Sequence, residues 1–377
     1  MNLRKIKAIM RKEFYHLIRD FRSLYLAFAI PLLLILLFGY ALSLDVDNIE
    51  TAILDQDRTD ASRDFIRQLD ASSYFHVGAS LRNSHEMSEY LDHGQATLAV
   101  IIPPGWTAKI RSDRDAPLQV LLDGSDPNFS NIARGYINAF IEGYNQKLLV
   151  QFLNRTGRET MHPPVEGRIR VWFNEDLVSR NFIIPGIIAV IIMIAGAMLT
   201  SLVIAREYEM GTMETVKSLP VNAFEIILGK AIPYFFIAIT DVLIAVLMGQ
   251  LLFGIVMKAS FWLMILASSV YILVALTLGL LISTATKSQL VANQGAILIT
   301  FLPSMLLSNF VFPVVNMPKV LQLLTYIVPA RYYIDILGGI YLKNLGMSYL
   351  WPDFLILTGM FMLLAAINCI LLKKEGL

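Results

Sequence analysis

Residues 181–220 read NFIIPGIIAVIIMIAGAMLTSLVIA followed by REYEMGTMETVKSLP, and this change of composition decides the fold. The first part has no charged side chain, and a helix crosses a bilayer with about 20 mostly apolar residues. It therefore predicts a transmembrane helix. The second part is short and carries five ionisable side chains, which are Arg206, Glu207, Glu209, Glu214 and Lys217. This predicts a compact polar surface directly after the span.

The whole composition supports a membrane protein. The chain has 377 residues, of which 56% are hydrophobic and 16% are charged, and its mean hydropathy is +0.59. Soluble domains contain roughly 45 to 50% apolar and about 25% charged residues. The net charge of +1 lacks the basic excess that nucleic-acid partners require, so no nucleic-acid partner is predicted. The single cysteine, Cys369, forms no disulfide within the chain.

Charge-poor stretches predict an α-helical integral membrane protein with six transmembrane helices. The predicted spans are residues 23–44, 181–205, 226–257, 259–286, 288–312 and 352–372. Residues 1–22 place apolar side chains at helical spacing among cations, which predicts an amphipathic helix on the cytoplasmic leaflet. A straight extension of the first span is the alternative. The first apolar run exceeds the roughly 7 to 15 residues of a signal-peptide core, so we interpret it as an anchor.

Lysine and arginine near the ends of the chain predict the orientation. The N-terminal cations are Arg4, Lys5, Lys7, Arg11, Lys12, Arg19 and Arg22. Residues 373–377 form a short tail with Lys373 and Lys374. Both termini are therefore expected in the cytoplasm, in agreement with an even number of spans.

Residues 45–180 predict an inserted α/β domain outside the cytoplasm. Short apolar runs typical of strands occur at TAILD (51–55), YFHVG (74–78), TLAVIIP (97–103) and LQVLLD (118–123), with helical patterns between them. Because the first span leaves from the cytoplasm, this insert is expected on the outer side.

Residues 313–350 mix prolines and isolated charges with apolar segments that are too short to cross the membrane. We predict a re-entrant segment of short helices in the outer leaflet, where non-helical backbone must be buried in protein or face water. Arg331 follows Pro329 and is interpreted as an interface anchor rather than as part of a substrate path.

The sequence contains no complete catalytic, metal-binding or nucleotide-binding motif. The run HEMSE (85–89) begins like a zinc-protease helix, but Glu89 stands where the second histidine is required. Gly229-Lys230 is followed by alanine, and Phe224 stands where a P-loop has its first glycine. We therefore predict no cofactor, no metal and no ATPase site in this chain. If the chain drives uphill transport, the energy must come from a partner or an ion gradient.

Asp241 is the single carboxylate deep in a predicted span. An acid in mid-membrane is costly and counts as a candidate functional site. The alternative is a protonated or hydrogen-bonded group packed against a neighbouring helix, which we favour because the other spans offer no partner cation.

The polar segment 206–220 has start and stop signals typical of a short helix. Gly211 ends the preceding helix, Thr212 is a candidate N-cap, and Glu214 lies in the first turn, where the helix dipole favours an anion. Pro220 ends the segment, and Met213, Val216 and Leu219 are expected on one face. Two interpretations remain: an interfacial helix, or a docking helix for a soluble motor.

Three separated regions resemble a known family. The stretch EYEMGTMETVKSLPVNAFEIILGK (207–230) resembles the cytoplasmic loop of type-2 ATP-binding-cassette (ABC) exporter permeases. LDQDRTDASRDF (54–65), ATLAVIIPPGW (96–106) and VLLDGSDPN (120–128) resemble the large extracytoplasmic insert of its multidrug-efflux branch. Residues 310–346 resemble the re-entrant segment of that branch. The resemblance covers essentially the whole chain.

The resemblance implies a dimeric permease in which residues 206–220 form the coupling helix of a separate ATPase. It assigns coupling roles to a set of residues in this segment and supporting roles to three others. The coupling residues are Glu207, Glu209, Gly211, Thr212, Met213, Glu214 and Lys217, and the supporting residues are Pro220, Gly229 and Lys230.

The leading hypothesis is therefore a non-enzymatic export permease for hydrophobic or amphipathic, drug-like molecules in the bacterial inner membrane. Its expected partners are two ABC ATPase subunits that carry ATP and magnesium, a second permease subunit as homodimer or heterodimer, membrane lipid and optionally a periplasmic adaptor. A lipid or lipid-linked glycan exporter and a cation extrusion permease are the alternatives. A membrane-tethered receptor or enzyme is disfavoured because it leaves the cytoplasmic helix unexplained.

Overall fold

The computed structural model describes residues 3–19, 21–41, 48–112, 114–125, 127–156, 173 and 178–376. These residues form two compact units, one from residues 1–44 together with 170–377 and the other from residues 45–169. The first unit is helical, and the second combines helices with one sheet.

In chain order, the helices and strands are α1 (Leu3–Arg19), α2 (Phe21–Ala41), β1 (Ile49–Asp55), α3 (Asp60–Asp70), β2 (Phe75–Ser80), α4 (Ser84–Asp92), β3 (Leu98–Ile102), α5 (Trp106–Arg111), β4 (Gln119–Leu122), α6 (Pro127–Thr156), α7 (Arg180–Glu209), α8 (Met213–Ser218), α9 (Ala223–Phe253), α10 (Phe261–Thr286), α11 (Gln289–Leu306), α12 (Lys319–Thr325), α13 (Pro329–Tyr341) and α14 (Met347–Lys374). A short 3-10 helix lies at Val314–Asn316.

Five helices in the described part of the chain are long and apolar enough to cross a membrane, namely α7, α9, α10, α11 and α14. Helix α7 lies at the centre of the unit and packs against α2, α9, α10, α11 and α13. Its residues from Ile183 to Ile194 are buried on all sides, as expected for a helix that is apolar around its whole circumference. Helix α2 covers most of the predicted first span, and the count of six spans stays a prediction.

The contact between α7 and α10 is close because small residues line it. A side chain at Gly279 of α10 would collide with the Thr200 hydroxyl and the Ala197 carbonyl oxygen of α7. Thr200 Oγ1 donates to the carbonyl oxygens of Gly196 and Leu276, both at 2.9 Å. Small residues and hydroxyl groups of this kind hold helices together where apolar burial does not distinguish protein from lipid.

Between α11 and α14 the chain forms only the 3-10 helix, α12 and α13. The two α-helices have 7 and 13 residues, fewer than the roughly 17 that a spanning helix needs. Helix α13 is largely buried and packs against α7 and α14. Its position in the outer leaflet stays a prediction.

The second unit contains a four-stranded sheet in the order β2-β1-β3-β4. β1 pairs in parallel with both β2 and β3, and β4 is antiparallel to β3. The strands overlap the four apolar runs from which strands were predicted. Central β1 is largely buried on both faces, as is usual for a parallel strand that is covered on both sides.

Helices cover both faces of this sheet. On one face, Ile53 and Val100 pack with Phe65 of α3 and with Ile137 and Tyr144 of α6. On the other face, Ala52, Leu54 and Ala99 pack with Met87 of α4. The end of the predicted insert, at residues 157–172 and 174–177, lies outside the described residues. The extracytoplasmic location and the predicted domain boundaries stay predictions.

Candidate functional site

The segment between α7 and α9, residues 206–220, contains the predicted coupling residues. Helix α7 ends at Glu209, and Gly211 has φ +71°, a left-handed backbone that glycine adopts without a side-chain clash. The six-residue helix α8 follows. Helix α9 then starts with a capping box in which the Asn222 backbone N–H donates to Glu225 Oε2 at 3.2 Å. Helix α8 therefore lies between the glycine turn that follows α7 and the capped start of α9.

The structure contradicts the prediction that Thr212 is the N-cap of α8. This residue precedes α8, but its backbone is in the helical region, with φ −79° and ψ −10°, and its side chain does not cap the helix. An N-cap usually needs extended backbone to bring its oxygen to the next amide groups. The Thr212 hydroxyl instead donates to the carboxylate of Glu207. Thr212 thus links α8 back to α7.

Glu207 belongs to a buried ionic cluster, which we define as Glu13, Glu207 and Lys230. Lys230 Nζ donates to Glu207 Oε1 at 2.8 Å and also to Glu13 Oε1. The side chains of Lys230 and Glu13 are each 5% exposed, and that of Glu207 is 9% exposed. Lys12 Nζ donates to the same Glu207 oxygen at 2.9 Å from the solvent side.

With Lys12 the buried ionic cluster has two carboxylates and two ammonium groups, so its charge is balanced. Buried ions keep their charge only when they are paired and hydrogen-bonded. The cluster connects α1, α7 and α9, and the backbones beside it are close. A side chain at Gly229 would lie 2.8 Å from Ile9 Cβ and 3.3 Å from the Ile6 carbonyl oxygen of α1. Gly229 therefore allows α1 to lie directly on the start of α9.

A second, exposed ionic cluster is defined by Tyr208, Lys217, Lys287 and Glu375. Lys287 Nζ donates to Glu375 Oε1 at 2.6 Å, and Tyr208 Oη donates to Glu375 Oε2 at 3.0 Å. Lys217 Nζ lies 4.0 Å from Glu375 Oε2, and both lysines lie over the Tyr208 ring. The hydrogen bond from Lys287 holds the pKa of the Glu375 carboxyl below its usual range. This cluster connects α8 to the ends of α7, α10 and α14.

The other predicted coupling residues have distinct positions. Glu209 accepts hydrogen bonds from the Gln289 backbone N–H at 2.7 Å and from its side chain at 2.6 Å, and so fixes the start of α11. Met213, the first residue of α8, is buried, whereas Glu214 is exposed. The Glu214 carboxylate makes no ion pair or hydrogen bond within the described residues. The carbonyl oxygen of Pro220 accepts from Lys5 of α1.

The outward surface of α8 combines apolar and acidic groups. Met210 is 65% exposed before the helix, and Leu219 is 51% exposed after it. The predicted apolar face of Met213, Val216 and Leu219 is therefore not continuous, because the chain is already extended at Leu219. Leu219 is instead exposed to solvent, as is Glu214.

Asp241 is in the middle of α9 and is 6% exposed. Neither carboxylate oxygen has a hydrogen-bond partner within the described residues. Asp241 thus differs from the acids of the buried ionic cluster, all of which are paired. Its predicted structural role stays a prediction.

Pro329 and Arg331 are placed at the start of α13. Pro329 occupies the first turn, where its missing N–H costs nothing. The Arg331 guanidinium donates to Thr325 Oγ1 and lies 4.3 Å from the centroid of the Tyr326 ring. Both contacts connect α13 to α12, and the role of Arg331 as an interface anchor stays a prediction.

Sequence reasoning missed the partners of the predicted residues. Glu13 lies on the buried face of α1 with Ile6 and Leu17, and a carboxylate within such an apolar stripe was a usable signal. Lys287 and Glu375 offered no such signal, because single charges at helix ends are common. Within the described residues, no group of three or more potential ligands is arranged for a metal ion.

Comparison with known proteins identifies the class. Residues 21–370 match the family described as ABC-2 family transporter protein, so the chain belongs to the ABC-2 transporter family. It is a permease subunit of an ABC-2 type transporter, and its long apolar helices agree with a multi-pass membrane protein. Membership implies an ABC ATPase partner.

Individual relatives agree with this assignment. The chain is 36% identical to the "Probable multidrug ABC transporter permease YbhS" of Escherichia coli K12 over 345 residues, which cover 91% of this chain and 90% of the relative. It is 31% identical to "Probable multidrug ABC transporter permease YbhR" of the same organism, covering 92% of each chain. It is 25% identical to "Inner membrane transport permease YhhJ", covering 81% of this chain and 80% of the relative.

Proposed function

We propose that this permease exports hydrophobic or amphipathic small molecules from the cytoplasm, as a dimer driven by two separate ABC ATPase subunits. ATP and magnesium are held by those subunits, and this chain has no cofactor of its own. The relatives named as multidrug permeases support the substrate class. A lipid or lipid-linked glycan exporter, or a cation extrusion permease, remains the alternative.

The observation that carries the proposal is the support of α8. Between the turn at Gly211 and the capped start of α9, α8 is connected to α1 and α9 through the buried ionic cluster and to α14 through the exposed one. A short helix fixed in this way transmits a push from an ATPase to the spanning helices, whereas an unsupported loop would absorb it. Met210, Glu214 and Leu219 provide the exposed surface against which the ATPase docks.

This role requires α8 to face the cytoplasm. The basic N-terminal helix fixes that orientation, because lysine and arginine are retained on the cytoplasmic side. Reporter domains fused after Lys217 and after Leu377 are expected to report the cytoplasm, and one inserted at Gly124 is expected to report the outer side. A cytoplasmic signal at Gly124 contradicts the proposed topology.

Transport itself is tested with inverted inner-membrane vesicles that contain this chain and its ATPase. We expect ATP-dependent accumulation of a fluorescent lipophilic dye, and no accumulation when the ATPase carries a substitution of its catalytic glutamate. A fluorescent phospholipid in parallel vesicles tests the lipid alternative. Movement of the phospholipid without movement of the dye by an assembled complex would overturn the proposed substrate class.

A further inference from the structure

The exposed ionic cluster connects α8 to helices that are not its neighbours along the chain. In sequence, α8 lies between α7 and α9. Lys217 of α8 and Lys287, which follows α10, both contact Glu375, the residue after α14. The same carboxylate accepts a hydrogen bond from Tyr208 of α7. The Glu375 side chain therefore joins α8 to the ends of α7, α10 and α14.

Glu375 contacts two groups of like charge. The ammonium groups of Lys217 and Lys287 lie 5.9 Å and 5.0 Å from the centroid of the Tyr208 ring, within the range of a cation–π contact. Lys287 Nζ is 2.6 Å from Glu375 Oε1, and Lys217 Nζ is 4.0 Å from Glu375 Oε2. Two ammonium groups this close to one ring repel each other, and a carboxylate beside them compensates the repulsion. The charge of Glu375 therefore helps to keep both lysines at the Tyr208 ring.

The turn between α10 and α11 is held from two sides. Lys287 follows the last residue of α10, and α11 begins two residues later at Gln289. Glu209, the last residue of α7, accepts hydrogen bonds from the backbone and the side chain of Gln289. Glu209 thus connects the turn to α7, whereas Glu375 and Lys217 connect it to α8. Loss of the Glu375 charge weakens the second connection and leaves the first one intact.

We propose that Glu375 is a positioning residue for α8. Its carboxylate fixes the orientation of α8 against α14 and the α10–α11 turn, so that a push on α8 reaches α10, α11 and α14 as well as α7 and α9. The part of the proposal that concerns transport rests on the proposed function of α8. Glu214 lies on the exposed surface of α8, whereas Glu375 faces the ends of the spanning helices. Loss of the Glu375 charge should therefore weaken transmission and leave ATPase docking intact.

The first experiment follows amide hydrogen exchange of the purified full chain in mild detergent, without an ATPase. Glu375→Gln keeps the size of the side chain and an acceptor for Tyr208 but removes the charge. We expect exchange in α8 to rise by roughly two- to fivefold, as for the loss of an exposed ion pair. Glu142→Gln makes the same chemical change at an exposed position of α6 and should leave α8 unchanged. Unchanged exchange of α8 in Glu375→Gln, or an equal rise in both variants, overturns the proposal.

The second experiment uses vesicles that contain the permease and its ATPase, and measures ATPase co-purification and the dye exported per ATP hydrolysed. Glu375→Gln should bind the ATPase as the parent chain does but export roughly two- to fivefold less dye per ATP. Glu375→Asp keeps the charge and should recover part of this loss. Unchanged export per ATP in Glu375→Gln, or equal losses in the two variants, contradicts the positioning role. Loss of ATPase binding by Glu375→Gln would assign Glu375 to docking and also contradicts it.

Failure of the proposed function gives a different result. Glu214→Lys should lose the ATPase, whereas Glu375→Gln should keep it. If Glu214→Lys keeps the ATPase and exports normally, the docking role of α8 is wrong. The exchange experiment still decides whether Glu375 orients α8, because it needs neither ATPase nor substrate. A rise in exchange of α8 that is confined to Glu375→Gln then supports the positioning of α8, and its absence overturns it.

Discussion

The two ionic clusters beside α8 have similar charges but very different surroundings. In the buried ionic cluster, Lys230 and Glu13 are almost inaccessible and lie among packed helices. In the exposed ionic cluster, Lys287 is 44% and Glu375 is 29% exposed. Removing one partner of a buried ion pair costs about 3 to 5 kcal/mol, whereas exposed pairs contribute roughly 0 to 1 kcal/mol. Ion pairs in the buried ionic cluster are therefore expected to contribute more to stability than those in the exposed one.

This difference indicates how α8 is supported. On the side of α1 and α9, Thr212 attaches α8 to Glu207, whose own contact with Lys230 cannot open without leaving a buried charge with fewer partners. On the side of α14 it is attached by contacts that water can replace. The contacts that join α1, α9 and the end of α7 are therefore harder to open than the contact between α8 and Glu375. Substitutions in each cluster can separate these two kinds of support.

The largest effect is expected for Lys230→Met. The substitution leaves the carboxylates of Glu13 and Glu207 buried beside each other, while Lys12 still donates to Glu207. We expect a loss of about 3 to 5 kcal/mol in the free energy of unfolding. The measurement is denaturant unfolding of the purified permease in mild detergent.

Two variants make this result specific. Lys287→Met removes a lysine of the exposed ionic cluster and should cost no more than about 1 kcal/mol. Glu13→Leu combined with Lys230→Met should restore much of the lost stability, because Glu207 keeps Lys12 and no second buried carboxylate remains in the cluster. Equal losses for Lys230→Met and Lys287→Met would show that the two clusters do not differ as the structure indicates.

The next effect is expected for Glu214→Lys, on docking rather than on folding. Glu214 is exposed, and surface substitutions usually change stability by less than about 0.5 kcal/mol. Loss of an acid from the first helical turn adds roughly 0.3 to 1 kcal/mol through the helix dipole. Losing one partner of a buried charged contact typically costs about 2 to 5 kcal/mol of binding. We therefore expect loss of ATPase co-purification and of substrate-stimulated ATP hydrolysis.

The matched control is Glu86→Lys. Glu86 also lies in the first turn of a short helix, α4, in the other unit. It should leave ATPase binding intact. Normal ATPase binding and normal export by Glu214→Lys would rule out the coupling role of α8 and favour the simple interfacial helix.

Sequence reasoning was most successful where composition is extreme. The apolar runs predicted membrane helices, and five helices of suitable length and hydropathy are present in the described residues. The family was recognised from three separated regions of the sequence, and the match over residues 21–370 confirms it. Gly211 was correctly expected to end α7, because its left-handed backbone follows from a local rule.

The partners of the site residues could not be predicted in the same way. Glu13 and Lys230 are far apart in sequence, and their contact depends on how α1 packs onto α9 at Gly229. Thr212 was expected to cap α8 because threonine is a common N-cap. The nearby carboxylate of Glu207 instead accepts its hydroxyl. Tertiary contacts of this kind override local preferences.

A small effect that depends on pH is expected for Glu375→Gln. The pKa of Glu375 is lowered in the folded chain, so its contribution is present above the unfolded value near 4.5 and is lost as pH falls through the folded value. The variant should therefore be slightly less stable than the parent chain at neutral pH, by no more than about 1 kcal/mol, and equal to it in strong acid. Unfolding curves at a series of pH values below 7 measure this. A difference that stays constant down to the acid limit would contradict an ionic role.

The smallest effect is expected for Asp241→Asn. The carboxyl groups of Glu13 and Glu207 are buried with cationic partners, whereas that of Asp241 is buried without any partner in the described residues. A charged carboxylate in an apolar span is very unfavourable, so a structural Asp241 would be uncharged, and asparagine has nearly the same size. ATP-driven dye export should then remain unchanged. A proton or cation carried by Asp241 would instead make the carboxyl group indispensable. Lost export by a variant that assembles normally and keeps normal ATPase stimulation would therefore assign Asp241 to the transport path.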